Sequence, residues 1–198
     1  MKIVHEEVLI SQGDFNTTNE WGQILNEIYT AIAAVSWPPG SSQFTVQPRK
    51  KGNGVKPIKA GCMVMLRSVH GWHLEAPVFV REVNRAGKVD ALRSTSQGYF
   101  ALEWKTGNIS SSHRTLNKIT LGIIRGLLLG GALILPTRQL YQFLTDRVGN
   151  YEELLPYFPV WKQIPVANGF MIVIAVEHDA TDDKVPLIPK GTDGRALI

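Results

Sequence analysis

Two uninterrupted apolar runs place the strongest limit on what this chain can fold into. Residues 132–136 read ALILP, and residues 170–176 read FMIVIAV. A strand with water on one face alternates apolar and polar residues, whereas neither run alternates, as expected of strands buried on both faces. Such strands need helices above and below them. The runs therefore predict an α/β fold with a central mixed β-sheet flanked by helices on both sides.

Helical and extended patterns fill the rest of that architecture. The spacing of apolar residues predicts helices over residues 20–35, 58–69, 108–129 and 138–148. Extended runs punctuated by glycine precede the third helix, over residues 77–83, 88–92 and 99–105. The order is an antiparallel start followed by helix, strand, helix and strand. We expect a single domain over residues 1–198.

Composition excludes several classes of protein. With 44% hydrophobic and 19% charged residues, the chain is neither disordered nor a coiled coil. Cys62 is the only cysteine, which excludes an internal disulfide and favours a reducing, cytoplasmic location. The first residues lack a long apolar core, so we expect no signal peptide. The run 119–135 contains Arg125 and is too short to span a membrane, so it predicts a buried helix leading into a buried strand.

The charge is mildly basic, at a net +4 with a pI near 9.2. Such a balance is compatible with nucleic-acid binding but is also common among other enzymes. Part of it comes from a polar loop and the residues just beyond it, where five cations cluster: Arg49, Lys50, Lys51, Lys56 and Lys59. A run of this kind indicates a solvated face more often than a phosphate contact.

Acidic residues on two successive extended runs suggest metal chemistry. Asp90 is followed thirteen residues later by Glu103-Trp104-Lys105. Carboxylates on adjacent strands can hold a hard cation, which polarises a phosphate and activates a water. This is the spacing of PD-(D/E)xK nucleases. Taken alone it is a weak signal, because exposed strand charges reach the same spacing by chance.

The sequence around these acids resembles the BamHI family of type II restriction endonucleases. The resemblance rests on LEWKTGNISSSHRTLNK at 102–118, NGVKPIK at 53–59, LTDRVGNYEELLPYF at 144–158 and VPLIPKGTDG at 185–194. It runs from about residue 20 to the C-terminus, and the chain ends just after the last match, as in a compact member. It implies a bacterial, cytoplasmic homodimer that cuts double-stranded DNA at GGATCC with Mg²⁺, leaves 5′-phosphates, and needs neither a membrane nor an organic cofactor.

The resemblance also implies roles for individual residues. The metal-binding carboxylates are Glu75, Asp90 and Glu103, and the catalytic set is Asp90, Glu103 and Lys105. The residues that read bases are Asn108, Ser110, Arg114, Asp146 and Arg147, whose donors and acceptors suit base edges. Lys59 and Lys118 are expected at the DNA backbone, and Asp193 at the minor groove. His113 is expected to pack rather than to act as a ligand.

One residue departs from the family pattern, because Lys105 stands where that pattern has a glutamate. Lys105 either positions water and stabilises the phosphorane, as in the wider superfamily, or impairs a site built for a glutamate. An ammonium group cannot bind a metal ion. The second interpretation predicts a chain that binds its site with little cleavage, and we favour it. A repair or transposition nuclease without a strict site is a third possibility.

An interface is expected on the helices near 110–129 and 138–152. The first carries two apolar stripes, Leu116–Ile119–Ile123–Leu127 and Leu121–Ile124–Leu128. That is more apolar surface than one core face needs, although periodicity alone does not distinguish an interface from an internal core. A palindromic target favours a two-fold dimer.

Overall fold

The computed structural model describes residues 1–78, 87–145 and 148–190, without the side chains of Lys56 and Pro57. Within those residues, six strands form one mixed sheet in the order β1-β7-β6-β5-β4-β3. Their bounds are β1 Lys2–Gln12, β3 His73–Pro77, β4 Lys88–Thr95, β5 Gly98–Trp104, β6 Gly130–Pro136 and β7 Gly169–Glu177. The short strands β2 Thr45–Val46 and β8 Ala180–Thr181 pair separately.

Helices cover both faces of the sheet, as predicted. One face packs against α1 Asn19–Ala33, α2 Lys56–Ser68 and α4 Arg138–Tyr141; the other packs against α3 Ile109–Ile124, α5 Tyr151–Leu154 and α6 Phe158–Lys162. The two apolar runs form β6 and β7, which are parallel to each other and buried on both sides. β5 is parallel to β6 and antiparallel to β4. No helix of the described chain is long and apolar enough to cross a membrane.

Three predicted elements show the largest differences in extent from those observed. The helix expected to reach residue 129 ends at Ile124, because Gly126 adopts φ +67° and Leu127 donates its N–H to the Gly122 carbonyl at 2.9 Å, a glycine-dependent helix stop. The helix expected over 138–148 is four residues long. The run 77–83 contributes only Pro77 to a strand, and residues 79–83 lie outside the described residues. Strand β1, an edge strand paired with β7, was not predicted.

The apolar stripes of α3 mostly serve the internal core. Within α3, Leu116, Ile119 and Ile123 are buried, and Leu128 is buried just after the helix ends. Ile124 and Leu127 remain exposed. The intramolecular interpretation of this helix therefore accounts for most of its apolar surface.

Candidate active site

Asp90 lies where strands β4 and β5 separate. The backbone pairing of these strands begins at Ala91 and Leu102. Beyond that pair, Asp90 Oδ2 accepts a hydrogen bond of 2.8 Å from the backbone N–H of Trp104. The Asp90 side chain thus accepts the Trp104 N–H at the point where backbone pairing between β4 and β5 has ended. The Asp90 carboxylate is held beside the residue that follows Glu103.

Glu103 is almost fully buried, at 2% exposure, and both of its oxygens are paired. Oε2 lies 2.8 Å from Lys105 Nζ, and Oε1 pairs with Lys118 on α3. Lys118 Nζ also donates to the carbonyl oxygen of Lys88 at 2.7 Å. A buried carboxylate needs such partners, because an unpaired charge away from water is costly.

The other face of the site is closed by α2. Lys59 forms an ion pair with Asp90 Oδ1. Cys62 is fully buried on the same helix, and burial raises the pKa of its thiol to about 12, with the negative charge of Asp90 adding to the effect and Lys59 opposing it. Every carboxylate oxygen of Asp90 and Glu103 therefore accepts a hydrogen bond or ion pair, and three ammonium groups face two carboxylates.

Glu75 lies on β3, next to β4. Its neighbours Leu74 and Ala76 pair with Ala91 and Val89, so Glu75 falls level with Asp90, and its φ of +50° interrupts the strand geometry. The Glu75 side chain is exposed. Within residues 1–78, 87–145 and 148–190, no group of three or more His, Cys, Asp or Glu side chains is arranged to hold a metal ion. The three predicted ligands thus lie on adjacent strands but do not form one ready-made cluster.

The start of α3 carries the described candidates for base recognition. Asn108 caps the helix, because its side-chain oxygen accepts the Ser111 N–H at 3.1 Å. Ser110 and Arg114 are exposed in the first turns. The capping contact uses the amide oxygen of Asn108, and the donor nitrogen makes no hydrogen bond within the described chain.

The other two candidates for base recognition, Asp146 and Arg147, lie outside the described residues, as does Asp193, the candidate for the minor groove. The segment that follows Arg147 is described, and it lies against α3. Gly149 donates its N–H to the Gly107 carbonyl at 2.7 Å. A Cβ at Gly149 would approach Ile109 Cα to 2.8 Å, so a larger residue would not fit without displacing the start of the helix.

The two lysines expected at the DNA backbone contact the acids of the site in the chain alone, and their role at the DNA backbone stays a prediction. Lys59 and Lys118 both turn their ammonium groups onto the acids of the site, since buried carboxylates require counter-charges. No sequence signal marks these pairs, which join residues 31 and 15 positions apart. His113 packs against Tyr157 and Trp161 at centroid distances of 4.7 and 5.6 Å, as predicted for a packing residue.

The fold is that of a restriction endonuclease. The structure is similar to the crystal structure of the restriction endonuclease BglII complexed with a DNA 16-mer, with a TM-score of 0.59 over 93% of this chain and 87% of that chain. The sequence identity is 11%. At that level the similarity concerns the fold alone.

Sequence comparison gives the family. Residues 1–195 match the model of the family "Restriction endonuclease BamHI". The chain is 50% identical to the type II restriction enzyme OkrAI of Oceanobacter kriegii over 100% of both chains. It is 37% identical to the type II restriction enzyme BamHI of Bacillus amyloliquefaciens, over 87% of this chain and 82% of that one. The chain belongs to the BamHI restriction endonuclease family, as the motifs predicted.

Proposed function

We propose that the chain is a homodimeric type II endonuclease that recognises GGATCC in double-stranded DNA and hydrolyses a phosphodiester bond in each strand, leaving 5′-phosphates. The observation that best supports this is the placement of Asp90 and Glu103 at neighbouring strand positions in a chain of the BamHI family. The palindromic target favours a dimer, since the symmetry of the two half-sites mirrors that of the protein.

The donor set fits a divalent metal ion. Carboxylate oxygens are the ligands that Mg²⁺ prefers, and Asp90 and Glu103 would hold it, with Glu75 contributing to a second ion. When bound, the ion polarises the scissile phosphate and activates a water for attack. Without the ion, Lys59, Lys105 and Lys118 pair with the two carboxylates and hold them in place. Ammonium groups must therefore give way before either carboxylate binds metal.

The role of Lys105 distinguishes the two versions of this proposal, an active enzyme and a form that binds DNA but cleaves poorly. In an active enzyme Lys105 positions the attacking water and stabilises charge on the phosphorane. In the alternative, the chain binds its site and cleaves poorly, because a cation stands where the family has a carboxylate. The 2.8 Å contact between Lys105 and Glu103 favours this alternative. With Lys118 on the other oxygen, Glu103 is held by two cations that compete with the metal.

Recognition of bases is assigned to the start of α3 and to residues beyond α4. Arg114 has the fork of donors that guanine O6 and N7 accept, and Asn108 retains an amide donor for adenine. Ser110 is a smaller donor beside them. Asp146 and Arg147 complete the set for the major groove, and Asp193 approaches the minor groove. These assignments follow the family motifs.

Digestion of a plasmid with one GGATCC site, with Mg²⁺ and separately with EDTA, tests the proposal. A gel shift on the same site without metal accompanies it. Linear product only with Mg²⁺ supports the active enzyme. A site-specific shift with slow or absent cleavage supports the binding form. Products scattered over mixed-sequence DNA contradict both, and would instead support a nuclease without a strict site.

A further inference from the structure

A second cationic region lies apart from the candidate active site. Arg49, Lys50, Lys51 and Lys190 are exposed, and they line a concave pocket of about 370 Å³ between residues 49–52 and 187–190, here called the basic pocket. None of the described residues that line it is acidic. Cations close together repel one another, so a pocket lined by them and by no acid favours an anion.

The two segments that line the pocket are held together by the buried side chain of Asn53. Asn53 is fully buried. Its side-chain nitrogen donates to the carbonyls of Gln47 and Phe143 at 2.8 and 3.1 Å, and its side-chain oxygen accepts the Ile188 N–H at 3.1 Å. Gly54 adds a backbone bond of 2.8 Å to the Ile188 carbonyl. Both walls of the pocket are therefore fixed relative to each other.

Backbone hydrogen bonds also join residues 51–53 to residues 142–145, which precede two of the proposed base-recognition residues. Lys51 donates its backbone N–H to the Gln142 carbonyl at 3.0 Å, and Thr145 donates to the Asn53 carbonyl at 2.8 Å. Thr145 immediately precedes Asp146 and Arg147. The pocket is thus joined to Thr145, the residue that precedes the proposed major-groove readers in sequence.

We propose that the basic pocket binds the phosphate backbone of the DNA that flanks the six recognised base pairs. The inference rests on the proposed function, because that function supplies the duplex. Arg49, Lys50 and Lys190 contribute affinity that falls with salt and is independent of base sequence, since phosphate contacts carry no sequence information.

The test compares the wild type with the triple variant Arg49→Gln, Lys50→Gln and Lys190→Gln. Metal-free binding is measured across a range of salt concentrations on duplexes of about 12 and about 30 base pairs, each carrying GGATCC or a one-base variant of it. A control removes the same charge elsewhere, at three exposed cations that do not line the pocket: Arg67, Arg125 and Lys162.

We expect the pocket variant to bind the long duplex about tenfold or more weakly at low salt and to show a shallower salt dependence, by about 0.9 for each phosphate that it no longer neutralises. Its affinity for the short duplex and its preference for GGATCC stay within twofold of the wild type. Equal weakening in the pocket and control variants overturns the proposal. So does a reduced preference for GGATCC, or binding of inorganic phosphate alone as tightly as the long duplex.

The wild-type arm separates this inference from the proposed function. A wild type that does not prefer GGATCC contradicts the proposed function. If the pocket variant still loses affinity only for the long duplex, the pocket remains a DNA-backbone site. If the wild type prefers GGATCC and the pocket variant binds like the control variant, the inference about the pocket is contradicted. The proposed function is then unaffected.

Discussion

The candidate active site and the basic pocket both contain clustered cationic side chains, but in opposite surroundings. Around Asp90 and Glu103, three lysines each pair with a carboxylate, and their side chains are 22–29% exposed. In the basic pocket, Arg49, Lys50 and Lys190 are exposed and no described lining residue is acidic. Cations paired with buried acids hold neighbouring groups in place, whereas cations that face water are available to an outside anion.

This difference shows that a lysine's role in a DNA-binding chain depends on its partner. Lys59 and Lys118 looked like phosphate contacts in the sequence, and Arg49 and Lys50 looked like a solvated face. The structure pairs the first two with the acids of the candidate active site, and it places the second two in a pocket whose walls are joined by Asn53.

The largest expected contrast is in thiol reactivity. Burial, helped by Asp90, raises the pKa of Cys62 to about 12, so the folded thiol stays protonated until the pH approaches that value. At pH 8 its thiolate fraction, and with it the alkylation rate, should be roughly 10³-fold below that of a free cysteine. A Lys50→Cys reporter in a Cys62→Ala background should react at nearly the free rate. Iodoacetamide kinetics followed by mass spectrometry measure both, and similar rates for the two thiols contradict the contrast.

The next effect is expected from Lys105→Glu. The change removes one of the two cations on Glu103 and supplies the family's carboxylate, so single-turnover cleavage with Mg²⁺ should rise by about 10²-fold or more. Metal-free DNA affinity should fall, because a positive charge near the phosphate becomes negative. Lys50→Glu makes the same charge change in the basic pocket and should leave the cleavage step unchanged once DNA is saturating. No gain from Lys105→Glu means that Lys105 does not impair the site.

Much of the architecture could be predicted because local pattern and burial coincide there. The runs at 132–136 and 170–176 are apolar throughout and form β6 and β7, buried on both faces. The length of the helix after residue 138 could not be predicted. The Phe143 carbonyl there accepts hydrogen bonds from the backbone and side chain of Asn53, a contact across 90 residues that no local pattern reveals.

The candidate site divides in the same way. Strand spacing alone indicates Asp90 and Glu103 as candidate site residues, whereas Glu75 follows only from the family resemblance. The ion pairs of Lys59 and Lys118 depend on how α2 and α3 pack across the sheet, so no local pattern indicates them. The end of α3 could have been predicted better, since Gly126 follows Arg125 where a helix-stopping glycine is expected.

A smaller effect is expected on stability when Glu103 is replaced by Gln. The amide keeps the shape of the side chain but leaves Lys105 and Lys118 without their carboxylate, which should cost about 1–3 kcal/mol of unfolding free energy. Equilibrium denaturation with urea, without metal, measures this cost. The basic pocket offers the matched comparison: Lys50→Gln removes a charge that has no acidic neighbour in the pocket and should leave stability unchanged or slightly raised. A Glu103→Gln variant as stable as wild type would mean that the two ion pairs add nothing to folding.

The smallest expected contrast is in the acylation of lysines by a water-soluble succinimidyl ester. Lys50 and Lys190 are exposed, whereas Lys59, Lys105 and Lys118 are half-buried and paired, so limited labelling should modify the first two severalfold faster. Bound duplex of about 30 base pairs should then protect Lys50 and Lys190, because phosphates occupy the pocket. Peptide mass spectrometry with and without DNA reads both steps. Protection confined to the active-site lysines would place the duplex over the active site but away from the pocket, and the two cationic regions would no longer share one DNA surface.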